Sequence, residues 1–190
     1  NVIGIREKVI QNLETSQASP DVFVPKDWRV FVSWSKMMET SDLEIHGTSD
    51  VFLPTSEKSR LKGLITNLRF TNVWIPKTQL RNWNISFLTI VQPQFYKNPA
   101  LSDDLFLLFA PMITVDIFPQ THIYFELDLD AGHKNTANFL DFHQADPDAF
   151  TIGPQFDINS HLTVYPALKF YVGDMSFKTA TLYFNLEATL

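Results

Sequence analysis

An all-β fold is what this sequence predicts, on three observations. Apolar residues recur at every second position over long stretches from Pro25 onward. Aromatic residues make up 14% of the chain, with 17 Phe and 4 Trp, and flat rings suit a pleated, half-buried surface. No long amphipathic helices separate the candidate strands, so a βαβ order is absent.

The elements follow in order. Residues 1–14, "NVIGIREKVIQNLE", place Val2, Ile5, Val9, Ile10 and Leu13 near one face at helical spacing. So short a helix is marginal alone in water, so it must dock on something. "TSQASP" (15–20) reads as a linker, which makes residues 1–24 a helical or extended arm and 25–190 the β domain. In "WRVFVSW" Trp28, Val30, Val32 and Trp34 share one side. The polar stretch "ETSDLEIHGTSD" reads as a loop before a short strand, "VFLP", and "LKGLITNLRFTNVWIP" (61–76) as a long strand.

"WNISFLTIV" (83–91) alternates, and the glycosylation triplet at Asn84 falls inside it, which weakens that triplet as a signal. "DLFLLFAPMITVDIF" (104–118) is apolar on both sides, and its Pro111 predicts a bend, an edge or a break. "THIYFELDL" (121–129) sets Ile123, Phe125, Leu127 and Leu129 against His122, Tyr124, Glu126 and Asp128. A short helix is expected around 136–142, then strands over 149–158, 161–172 and 175–189. About eight strands joined by turns predict a two-sheet sandwich or barrel.

Composition narrows the function. The net charge of −6 provides no global attraction for nucleic acid. Without cysteine there are no disulfides and no Cys-ligated zinc, which leans towards an intracellular protein. The longest apolar run, Leu105–Val115, falls short of the roughly 18 residues of a membrane-spanning helix, and no membrane partner is expected.

The segment 126–148, "ELDLDAGHKNTANFLDFHQADPD", looks most like chemistry, with six acidic residues and two histidines. As a calcium loop it fails, because Gly132 is fifth from Asp128 and Phe139 stands where a Glu ligand belongs. A metal-dependent enzyme would need His133, Asp141 and His143 to converge, without any H-E-x-x-H spacing to hold them. The simpler alternative is a solvated loop: Asp128 and Asp130 end a strand, Gly132 turns the chain, and Asp146-Pro147-Asp148 restarts it. "GTSDVF" beside His46 is no triad on sequence proximity alone. Aromatic–basic runs such as "RFTNVWIPK" and "LKFYV" are better read as rings facing a core than as an RNA surface. No catalytic residue, metal or cofactor is assigned, and the chain is not read as an enzyme.

The strand order carried by "DWRVFVSW", "LKGLITNLRFTNVWIP", "WNISFLTIVQPQF", "HLTVYPALKFYVGD" and "SFKTATLYFNLEATL" resembles the jelly-roll coat (capsid) proteins of picorna-like plant viruses. Among them it is nearest to the cheravirus-like secovirids with three small coat proteins. The resemblance covers residues 25–190 and implies an eight-stranded jelly-roll sandwich. It also implies an icosahedral shell built with copies and sister subunits around single-stranded RNA, located in the virion and in the host cytoplasm during assembly. On that view the arm residues Val2, Ile5, Val9, Ile10 and Leu13 dock at a subunit interface. The arm departs from many plant coat proteins in carrying only Arg6 and Lys8, with Lys26 just beyond, so RNA contact would be indirect or local. A carbohydrate-binding β sandwich is the other alternative.

Overall fold

The computed structural model describes residues 2–6, 9–11, 23–25, 27–77, 82–98, 102–134, 138, 140–159, 162–173, 175–177 and 179–188. It is all-β in substance. The strands are β1 (Val2–Arg6), β2 (Val9–Gln11), β3 (Phe23–Pro25), β4 (Trp28–Glu39), β5 (Leu43–Leu53), β6 (Leu64–Pro76) and β7 (Trp83–Tyr96). They continue with β8 (Asp103–Phe118), β9 (Thr121–Lys134), β10 (Phe142–His143), β11 (Ala149–Asn159), β12 (Leu162–Tyr171) and β13 (Thr181–Ala188). Among the described residues one short helix, α1 (Glu57–Leu61), joins β5 to β6. No helix among the described residues is long and apolar enough to cross a membrane.

Sequence neighbours are sheet neighbours. The order β1-β4-β5-β6-β7-β8-β9-β11-β12-β13 forms one antiparallel sheet, with β10 added beside β9, while β2 and β3 pair separately. The sheet is open, with β1 and β13 at its ends. Elements in extensive contact are ladder neighbours, apart from α1 with β6, and no large side chain among the described residues is fully buried. The expected eight-stranded jelly roll would instead distribute its strands over two sheets with Greek-key crossovers. Alternation dictates which side a residue faces and leaves the choice of neighbour open, which is why the strands were legible and their order was not.

Several boundaries differ from expectation for local reasons. The arm is extended where described: Val2 and Ile5 pair with Ser33 and Val30, and Val9 and Ile10 pair with Pro25 and Val24. Leu13 lies outside the described residues. The β-branched Val and Ile side chains that suggested a helical stripe are stiff at χ1 and favour a strand. "DLEIHGTSD" is not a loop but most of β5, because its polar His46, Thr48 and Asp50 alternate with Ile45, Gly47 and Ser49. Pro111 does not end β8, which passes through it opposite Phe87; one missing donor costs one ladder bond. Of the helix expected at 136–142, residues 138, 140 and 141 are non-helical, Phe142 begins β10, and the rest lies outside the described residues.

The registers sort the side chains into two faces. On one, the rows run Trp28–Leu53, Val30–Val51–Leu68, Phe70–Val91–Leu107, Trp74–Phe87–Pro111, Phe109–Leu129, Ile113–Phe125–Ile152–Leu168 and Phe150–Phe170. On the other lie Arg29, Asp50, Arg69, Gln92, His122, Glu126, Asp128, Thr151, Asp157 and Lys169. The more tightly covered residues are mostly on this polar face: Asp50, Gln92, Ala110, Asp128, Ala149, Thr151 and Ala167 are all buried. In the middle strands this face also carries apolar residues, with Leu88 opposite Ala110 and Ile90 opposite Leu108. Gly153 shows how closely two backbones approach, since a Cβ there would lie 2.1 Å from the Pro166 carbonyl oxygen.

Candidate functional site

The 126–148 segment divides into two parts. Strand β9 continues through Asp128 and Asp130 to Lys134, so the turn assigned to Gly132 does not occur there. Gly132 serves a different need. A Cβ on it would fall 2.5 Å from Asp103 Oδ2 and 3.0 Å from His143 Nε2, so the absent side chain makes room for that pair. The second expectation holds, because Asp148 leads directly into β11 at Ala149.

His133, Asp141 and His143 do not converge. The β9–β10 register sets Phe142 opposite His133 and His143 opposite Gly132, and successive positions put the two imidazoles on opposite faces. Each ring has its own partners. His133 Nδ1 lies 2.8 Å from Asp104 Oδ1, and its Nε2 lies 3.1 Å from the Asn138 carbonyl. His143 Nε2 is 3.2 Å from Asp103 Oδ1. The hydrogen bond with Asp104 is the main reason the His133 pKa is raised. Asp141 remains in the loop, its amide bonded to the Asn138 carbonyl. Among the described residues, no group of three or more His, Asp and Glu side chains is arranged to hold a metal ion.

The other serine–histidine candidate separates in the same way. His46 Nε2 lies 2.7 Å from Glu44 Oε1, while Asp50 faces Arg29, whose Nη1 is 3.3 Å from Asp50 Oδ1. Ser49 is one position from Asp50 along β5, hence on the opposite face. The ring of Phe70 in "RFTNVWIPK" is exposed rather than turned into a core.

Three polar clusters on the polar face were not foreseen as units. The first is basic. Arg29 and Arg69 flank buried Asp50, both guanidinium groups lie over the Phe52 ring (5.9 and 4.9 Å), and Arg69 Nε donates to Gln92 Oε1 at 2.7 Å. Burial lowers the pKa of Arg69, with Asp50 opposing and Arg29 reinforcing that shift.

The second is acidic. Lys169 Nζ donates to Asp128 Oδ2 at 2.6 Å, beside Glu126 and Asp130. Burial first, then the Asp128 charge and its hydrogen bond, push Glu126 up to about 8. Burial and Asp128, with Asp146 adding, push Asp130 up to about 6.

The third is a relay of contacts. His122 Nδ1 lies 2.7 Å from Asp116 Oδ1 and its Nε2 lies 3.1 Å from Asp157 Oδ2, and Thr163 Oγ1 donates to Asp157 at 3.0 Å. Burial lowers the His122 pKa, but the hydrogen bonds to Asp116 and Asp157 more than offset it, and the result is a raised value. The partners in these clusters come from strands far apart in sequence, so only the period-two placement of His122, Glu126 and Asp128 was visible beforehand.

Each group brings opposite charges together: Asp50 with Arg29, Asp128 with Lys169, and Asp116 and Asp157 with His122. No protein-family model matches this chain, and no curated protein is significantly similar to it.

Proposed function

We propose that the chain is a structural subunit that works by assembling, a coat protein of the picorna-like kind, and not an enzyme. One observation supports this most. An apolar face extends across β4 to β12, with Trp28, Phe70, Trp83 and Phe109 on it each more than 40% exposed, and a large contiguous apolar surface marks a place of association.

The partners are then other copies and sister coat proteins in an icosahedral shell. The acidic chain meets genomic RNA only by local contacts or through a sister subunit, and the arm with Val2, Ile5, Val9, Ile10 and Leu13 clamps a neighbour. Light scattering and negative-stain microscopy of material from its source test the reading. A uniform closed shell is expected, and a stable monomer carrying a stoichiometric metal would overturn it.

A further inference from the structure

We infer that the apolar face docks a second copy of this chain, sheet against sheet. This deepens the assembly reading and rests on it, by naming the surface and its occupant.

Size is the first argument. Trp28, Phe70, Trp83, Phe95, Phe109 and Phe156 on this face are between 38% and 50% exposed. Rings of this kind bury about 150–250 Å² each, so these six leave on the order of 500 Å² uncovered. Exposed Val30, Leu53, Val51, Val91, Ile117 and Leu129 on the same face carry the patch towards the roughly 800 Å² per partner of a stable interface.

Charge is the second. The chain carries a net −6, and its carboxylates at regularly paired positions fall on the polar face together with Arg29, Arg69 and Lys169, so stacking copies by that face would take many charges out of water. The rows of the apolar face carry little charge: the His133–Asp104 pair lies near one end, its two members 2.8 Å apart and partnered with each other. The inner polar group of this face is already partnered, since Trp74 Nε1 donates to Thr89 Oγ1 at 3.0 Å. A surface with so little charge is compatible with its own copy across a two-fold axis.

Hydrogen bonding decides against the other apolar occupant, lipid. The sheet ends at β1 and β13 without closing, and unpaired strand edges are not tolerated in hydrocarbon. Against a second copy those edges stay in water, and the two apolar faces lie about 10 Å apart as the halves of a sandwich. The stacked Phe87 and Phe109 rings, 6.0 Å apart and 9° from parallel, supply a firm ridge near the middle.

Sedimentation velocity of the purified full chain over a concentration series tests this, using Val91→Lys and Phe109→Lys separately. Asn84→Lys, exposed and on the opposite face by register, is the control. Both test positions are partly open, so a lysine can reach water in the monomer, and circular dichroism verifies that each variant is folded. The wild type and the control are expected to self-associate, and each folded test variant to weaken that association by about 30-fold or more, as central interface positions do. Association unchanged in both test variants overturns the inference and leaves the shell reading standing. A monomeric wild type that floats with neutral phosphatidylcholine vesicles, and loses this with Phe109→Lys, overturns it in favour of lipid. Loss of self-association in the variants, with no shell in native material, sustains the inference while the shell reading falls.

Discussion

Two charged clusters on the polar face are near mirror images. Across β4, β5 and β6, two guanidinium groups surround one carboxylate, Asp50. Across β9 and β12, three carboxylates surround one ammonium, Lys169. The two dispose of surplus charge differently, because an arginine cannot lose its proton in practice whereas a carboxylate can gain one. The basic cluster therefore spreads its excess onto Gln92 and the Phe52 ring. The acidic cluster holds Glu126 protonated at neutral pH, with its pKa at about 8. One region is fixed in charge and the other is tuned by pH.

The largest effect in this comparison belongs to Asp50→Ala. It leaves Arg29 and Arg69 close together and without their shared counter-ion, and removing one partner of a buried pair costs about 3–5 kcal/mol. Denaturant unfolding at neutral pH is expected to show a loss on that scale. A loss close to zero would mean the two arginines escape to water and the cluster is not a buried unit.

Glu126→Gln has a smaller effect that depends on pH. The folded-state pKa of Glu126 is raised above its ordinary 4.5, so its contribution is fully present below pH 4.5 and is lost as pH rises through about 8. The wild type should therefore lose thermal stability between those limits, and the variant should show a shallower slope and a higher Tm at the alkaline end. The raised Asp130, His122 and His133 act in the same direction, so the variant keeps part of the slope. Parallel Tm curves for the two proteins would remove the protonated Glu126 from the account.

What the sequence disclosed and what it withheld follow from the same property of strands. Alternation in "THIYFELDL" separated Ile123, Phe125, Leu127 and Leu129 from His122, Glu126 and Asp128, and the structure keeps that division where β9 pairs with β11, while Leu88, Ile90 and Leu108 of the middle strands share the polar face. Where a strand carries polar residues on one face and small ones on the other, as in Ile45–Asp50, the pattern imitates a loop, and β5 was shortened accordingly. The acidic segment looked like a loop because Asp128, Asp130 and Gly132 resemble turn residues, yet all three lie in β9. The charged clusters depend on pairings such as Lys169 with Asp128, and on histidine partners such as Asp104 for His133, which no local spacing announces.

The apolar face itself has a built-in reporter. All four tryptophans, Trp28, Trp34, Trp74 and Trp83, lie on it by register. Acrylamide quenching of tryptophan fluorescence during serial dilution therefore tests most directly whether this face is covered by association. Shielded tryptophans at high concentration that become accessible on dilution are the predicted result, with accessibility at every concentration in Val91→Lys. Quenching that stays the same at all concentrations would contradict the account and leave the apolar face without a second copy over it.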